Sequence, residues 1–221
     1  MFVALKKFFA FLLAVAVLFP SGVASADVPL PAPQRTGGPG LFDAISNRAS
    51  ALGADFASMG EVSPEKLSTI LWAATGLNRG EKGWTVPMAM GMEPYVKVYV
   101  ARADGVFLYD WKAHALKEVT GKDVRGRIGK QDFVAKAPCT LILVSDSEAL
   151  SRKFKDDDDE EEFAAVAAGA MAQDVYLAAG AVGVGTRYIR SVQKDAVEDI
   201  LGLRDDDDVL CIMPMGTKPG A

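Results

Sequence analysis

Few side chains in this sequence are of a type that carries a reaction unaided. There is one histidine, His114, and there are two cysteines, Cys139 and Cys211. No recognisable spacing joins His114 to either cysteine as a base–nucleophile pair. Both cysteines stand in apolar runs, CTLILVS and VLCIMPM, that read as buried strands. Buried free thiols are the plainer reading, because a bridge would need neighbouring strands with Cβ atoms about 4 Å apart. The chain has no phosphate-binding P-loop, no G-x-S-x-G elbow and no H-E-x-x-H pair. Gly183-Val184-Gly185 follows a helical stretch instead of opening one, so it is not a dinucleotide fingerprint. Met88, Met90 and Met92, with Met59 upstream, form a thioether-rich segment. Soft sulfur can hold copper, although a loop folded over an apolar pocket explains it more simply. The acidic runs Asp156–Glu162 and Asp205–Asp208 lack the spaced acids and central glycine of a calcium loop. The first sits where a helix should start, and acids there favour the helix dipole. The second reads as a solvated loop.

The elements that must position these residues follow from hydrophobic period. Leu41, Phe42, Ile45, Ala49 and Leu52 predict a helix in the stretch Leu41–Phe56, ended by Gly53. Ser63 and Pro64 open a second helix, whose apolar stripe is Leu67, Ile70, Leu71 and Ala74 and whose end is Gly76. Tyr95–Ala101 and Val106–Tyr109 read as a hairpin around Asp104-Gly105, and Asp123–Val134 as a helix. Cys139–Ser145 reads as a strand covered on both faces. Phe163–Ala181 reads as a buried core helix, Thr186–Val192 as a strand, Lys194–Leu201 as a helix and Val209–Met215 as a buried strand. The order implies one sheet with helices packed on it.

The first 26 residues answer to a different logic. Lys6 and Lys7 precede an apolar run from Phe8 to Phe19, then Pro20, then the small-residue site Ala24-Ser25-Ala26. This is the pattern of a secretory signal peptide, and the run is shorter than the roughly 20 residues of a membrane span. Cleavage after Ala26 would leave an exported chain, periplasmic or secreted, with no membrane span in the mature part. Residues 27–40, rich in Pro and Gly, read as an extended lead-in, and 41–221 as the folded domain. The whole chain carries 24 basic against 29 acidic residues, a formal charge of −5. That balance excludes nucleic acid as the main partner, which would require a concentrated basic face.

Several segments in order resemble the nitroreductase superfamily. They are Leu71-Trp72-Ala73-Ala74-Thr75-Gly76-Leu77-Asn78-Arg79, Thr85-Val86-Pro87, Tyr99-Val100, Gly105–Asp110, Gln131–Pro138, Gln173–Ala179, Gly183–Thr186, Leu201-Gly202-Leu203 and Pro214-Met215-Gly216. The likeness is closest to the branch of SagB-type, azoline-oxidising dehydrogenases. It implies an α+β fold, a mixed sheet flanked by helices, and an intertwined homodimer with FMN in a cleft at the interface. It also implies hydride or electron transfer to a small-molecule acceptor such as a nitro compound or quinone. The flavin would supply the redox chemistry, so no catalytic side chain is assigned.

The resemblance carries flavin contacts onto particular positions. Arg48 and Ser50 stand where the family opens R-R-S-x-R, whose other arginines are Ala49 and Leu52 here. Met88, Gly91 and Glu93 occupy the Ser, Asn and Gln positions of the P-S-A-x-N-x-Q loop. Asp174 replaces the Asn of QNVYLAA. Arg190 and Ser191 fall on the strand that offers backbone groups to the flavin, and Lys218 where a terminal basic residue meets the phosphate, with Arg187 nearby. The replaced polar positions leave a second reading: a nitroreductase fold kept as a ligand-binding or scaffold protein without flavin.

Overall fold

The computed structural model describes residues 27–80, 83, 84, 86 and 88–221. The proposed leader, 1–26, lies outside them. Seven strands form one sheet in the order β1-β4-β3-β2-β5-β7-β6. They are β1 (Val28–Pro29), β2 (Val96–Arg102), β3 (Gly105–Asp110), β4 (Ala115–Thr120), β5 (Cys139–Ser145), β6 (Val184–Thr186) and β7 (Val209–Thr217). Every pairing is antiparallel. The helices are α1 (Leu41–Asn47), α2 (Pro64–Thr75), α3 (Ser147–Leu150), α4 (Asp157–Ala181) and α5 (Lys194–Leu201).

β5 shows why the sheet is buried on both faces. Its residues Cys139, Leu141 and Leu143 point to one core with α2 and α4. Ile142 and Val144 point to a second core, built with Val124, Ile128, Val134, Val197 and Leu201. A strand covered on both sides favours apolar residues on both faces, which accounts for the run Leu141–Val144, while the buried Thr140 and Ser145 stand near its ends.

α2 forms as its sequence directs. The Ser63 hydroxyl accepts from the Lys66 N–H at 3.4 Å, Pro64 fills the first turn, and Leu67, Ile70, Leu71 and Ala74 are buried. α4 begins inside the acidic run. Asp156 caps it by accepting from the Asp158 N–H at 2.9 Å, and Asp157 to Glu160 occupy its first turn. Its inner face is small: Ala164, Ala167, Ala168, Met171, Ala172, Val175 and Ala179. Short side chains let α4 approach α2 and the sheet closely.

Several expectations are corrected. The stretch 41–56 is a short helix, α1, followed by a 3-10 turn over Gly53–Ala57. Asp123–Val134 is not a helix but irregular chain with 3-10 turns at Arg125–Arg127 and Val134–Lys136. The strand expected over Thr186–Val192 ends at Thr186, and the chain beyond meets β7 through the Arg187 N–H on Pro214 C=O, the Ile189–Ile212 bridge and the Arg190 side chain. The hairpin gains a third strand, β4, and the lead-in supplies β1. α4 is only partly buried, with Val166 55% exposed on its outer face. It is the one described helix long and apolar enough to cross a membrane, but its inner face belongs to the core. The loop at 205–208 is not wholly solvated. Asp207 is 6% exposed, accepting from Ser147 and from Arg204 at 2.9 Å.

Cys139 and Cys211 are free and buried. They lie on adjacent strands but out of register, since Cys139 faces Met215 and Cys211 faces Leu143. Burial pushes both thiols up to about 12.

Candidate functional site

The site grows from the outer turn of α4. Tyr176, in the QDVYLAA segment, accepts the Tyr188 N–H at 2.7 Å and shares a hydrogen bond with the Ser50 hydroxyl at 2.8 Å. The Arg48 guanidinium stands over the same ring, 5.0 Å from its centroid. Two further bonds tie this cluster to β6. Thr186 C=O accepts the Ala51 N–H at 2.9 Å, and the Arg187 guanidinium donates to Ala51 C=O at 3.2 Å. Arg48 and Ser50, chosen from sequence, are therefore brought together, and Tyr176 and Tyr188 join them.

The chain continuing from β6 supplies a second group. Ile189 pairs with Ile212, which leaves Tyr188 40% exposed. The N–H groups of Arg190 and Ser191 have no acceptor among the described residues, whereas their carbonyls accept from Val192 and Lys130. Two adjacent unpaired N–H donors are a natural seat for an acceptor atom of a ligand. The side chains themselves are engaged elsewhere. Arg190 donates to Leu210 C=O at 2.6 Å, and the Gln131 side-chain amide donates to the Ser191 hydroxyl. Arg190 also borders a cavity of about 840 Å³ shared with Lys194, Arg204 and both acidic runs. Like charges crowd there: burial, Asp157 and Asp206 raise the Glu160 carboxyl above its ordinary value.

The remaining predicted positions scatter. The Lys218 N–H donates to Gly183 C=O at 3.0 Å, beside the start of β6. Met88 is half-buried against the main core, and Gly91 is exposed at φ +69. Glu93 is exposed and paired with Lys112 at 2.9 Å. This loop lies at the other end of α4. The Ala89 N–H donates to the Tyr95 hydroxyl, which donates to Phe163 C=O at 3.5 Å. Phe163 and Tyr176 stand thirteen positions apart on α4, about 20 Å of helix. Within the chain the two predicted halves of the site do not meet. Asp174 forms no hydrogen bond or ion pair among the described residues, and burial raises its carboxyl to about 6.

Glycines shape the floor of the cluster. A Cβ at Gly185 would fall 2.5 Å from Met59 Cε, and one at Gly216 would fall 2.6 Å from Met59 Cβ and 3.0 Å from the Pro138 ring. Only glycine lets β6 and β7 run this close to Met59.

Residues 55–217 match the Nitroreductase family, which is most of the chain. The chain belongs to the nitroreductase family. A protein of Methanocaldococcus jannaschii that bears the nitroreductase name is 31% identical over 163 residues, 69% of this chain and 80% of its own. A nitroreductase structure from Ralstonia eutropha superposes with a TM-score of 0.77 at 29% identity, covering 91% of this chain and 93% of its own. An NADPH:FMN oxidoreductase from Vibrio harveyi, complexed with NAD+, shares the fold at 18% identity, with a TM-score of 0.57 over 80% of this chain and 68% of its own. At family level this makes the chain a flavin-type oxidoreductase. The matched segment starts at Asp55, so Arg48, Ser50 and Lys218 lie outside it.

The donor set suits a phosphate-bearing flavin. Arg48 and Lys218 form no ion pair among the described residues, which leaves their charge available to a phosphate. Arg190 and Ser191 offer N–H groups of the kind a ring nitrogen or carbonyl accepts. Sequence reasoning passed over Tyr176 and Tyr188. Tyr176 stood in a quoted motif, but its partner Ser50 is 126 residues away, and no local pattern announces that pairing.

Proposed function

We propose that this nitroreductase-family chain is an exported FMN-dependent oxidoreductase acting on a nitro compound, quinone or related small acceptor. The observation that carries the reading is the Arg48–Ser50–Tyr176–Tyr188 cluster beside the unpaired N–H groups of Arg190 and Ser191. FMN, when bound, supplies the hydride chemistry. The chain's own part is to hold it. Arg48, with Ser50 and Lys218, would meet the phosphate end, and the Arg190 and Ser191 N–H groups would orient the ring.

The protein would work as a homodimer. The outer face of α4 exposes Phe163 and Val166, and Leu41, Phe42 and Ile45 of α1 are also exposed, Phe42 to 83%. A second copy would cover this apolar surface. It could also bring its Met88–Glu93 loop to the cluster that the same loop cannot reach within its own protomer. The likeness of segment 71–79 favours the SagB-type branch. The leader pattern of residues 1–26 supports export, and N-terminal sequencing of the processed chain should begin at Asp27.

The deciding test is the visible absorbance of the purified protein, followed by FMN titration monitored through flavin fluorescence. Saturable uptake supports the reading. A colourless protein that takes up no FMN refutes it. That result would favour a ligand-binding protein, a reading to which Glu93, spent on Lys112, and Met88, packed on the core, already lend support.

A further inference from the structure

We propose that His114 is a proton-operated latch that holds the N-terminal arm, residues 27–36, against the body of the protein. The arm is tied down along its length. Val28 and Pro29 pair with Leu116 and Ala115 of β4, and the Leu30 N–H donates to His114 C=O at 3.0 Å. The Ser68 hydroxyl donates to Pro31 C=O at 2.5 Å, and Thr69 Oγ1 accepts the Gln34 N–H at 3.0 Å. The Arg35 guanidinium lies 5.7 Å from the Trp72 ring centre. The arm thus runs from the sheet edge along α2 and leads into α1. It lies outside the segment that matches the family.

His114 is the centre of this fastening. Its Nε2 lies 2.7 Å from the Ser68 hydroxyl and 3.2 Å from Pro31 C=O, and its Nδ1 lies 2.9 Å from the Tyr109 hydroxyl. Ser68 is 0% exposed and Tyr109 3%. His114 is also the one non-glycine residue with positive φ among those described, at 49°. An L-residue enters that region at a cost, which its surroundings must hold in place.

Counting protons shows why the latch is sensitive. Ser68 has one hydroxyl proton, given to Pro31 C=O. Nε2 must then carry a proton and donate to Ser68, and a bare Nδ1 accepts from the Tyr109 hydroxyl. The neutral ring satisfies every position. A second proton, on Nδ1, would face the proton of Tyr109. That hydroxyl would have to turn away within a buried pocket.

The charges nearby do not relieve this. Arg35 on the arm repels an imidazolium. Asp110, next to Tyr109, is held by Lys117 of β4 at 2.6 Å. Glu65, one turn before Ser68 on α2, bonds to Ser63. Burial first, then Arg35, keep the ring below the ordinary histidine value of 6.5, although the Pro31 bond opposes them. The sign follows. The fastening is complete above the ordinary value and is lost as pH falls through the lower value of the latched ring. Each unit between the two is a tenfold change in the arm's opening equilibrium.

The test uses the protein with a histidine-free tag, so that His114 gives the single imidazole signal. Ring titration by NMR is compared with amide exchange of peptides covering 28–36 between about pH 7.5 and about pH 5, corrected for intrinsic rate. The expected result is loss of arm protection with the ring's midpoint, tenfold per unit of depression. His114→Gln keeps a donor toward Ser68 and Pro31 but cannot charge, so its arm should stay protected in acid. Tyr109→Phe removes the opposing hydroxyl proton, so both the ring midpoint and the release should move to higher pH together. The proposal is overturned by arm protection that ignores pH, by a ring titrating at or above 6.5, or by a release pH that Tyr109→Phe leaves unchanged.

Discussion

Replacing Tyr176 by Phe removes one oxygen and tests the heart of the proposed site. That oxygen accepts the Tyr188 N–H at 2.7 Å and bonds the Ser50 hydroxyl at 2.8 Å. The ring stays, so the Arg48 contact at 5.0 Å stays with it. Each lost hydrogen bond is worth about 0.5–1.5 kcal/mol, and the exposure of Ser50 and Tyr188 places both toward the lower end. The expected total is about 1–2 kcal/mol, or roughly 2–8 °C in Tm for a chain of this length. Urea unfolding at fixed protein concentration measures it, since dimerisation would otherwise shift the midpoint. A double-mutant cycle with Ser50→Ala should return a coupling of about 0.5–1 kcal/mol. Amide exchange at Tyr188 should accelerate whether or not flavin binds. If the chain takes up FMN, the Kd should weaken by up to about tenfold, the equivalent of 1.4 kcal/mol. Unchanged stability, no coupling and an unchanged Tyr188 amide would refute the view that the Tyr176 hydroxyl positions Ser50 and Tyr188.

Asp174→Asn removes an unpaired carboxyl that burial raises to about 6 from 3.8. A raised acid binds its proton more tightly when folded, so it costs stability above about pH 6 and nothing below 3.8. Two units set a ceiling of about 3 kcal/mol, and partial exposure reduces the expected gain at neutral pH to about 1–2 kcal/mol, vanishing in acid denaturation series near pH 4. Gly216→Ala should destabilise by about 1–3 kcal/mol, because Met59 Cβ and the Pro138 ring cannot swing away. Gly185→Ala should cost less, since it meets the mobile Met59 Cε, and Met59→Ala should relieve the Gly185 variant but not the Gly216 variant in thermal melts. Cys139 and Cys211 should resist thiol reagents until the protein unfolds, and reductant should leave the melting curve unchanged.

What the sequence disclosed was local. α2 was legible because its cap, its proline and its apolar stripe lie within 12 residues. β5 was legible because burial on both faces selects the apolar run Leu141–Val144. The segment 123–134 misled, because Val124 and Ile128 stand four apart, as on one helix face. They are buried from irregular chain instead, and Gly129 is needed where Val134 presses to 2.5 Å from a would-be Cβ. β4 escaped notice because only Ala115 and Leu116 of its six residues are buried. The site was half legible. Arg48 and Ser50 came from a family likeness, whereas Tyr176 joins them only after the chain has folded back. The His114 clamp was invisible for the same reason, since it gathers Pro31, Ser68 and Tyr109 from three elements.

The place of β7 in the sheet governs how the molecule can come into being. The last strand in the sequence is inserted between β5 and β6, and no pairing of its own joins those two neighbours. A ribosome delivering the chain in order therefore releases β2 to β5 with a bare hydrogen-bonding edge and β6 with no sheet to join. Closing that gap demands contacts between distant parts of the chain, which makes folding slow and leaves the edge open to other chains meanwhile. The fold cannot be completed as it emerges. It closes only when residues 209–217 arrive.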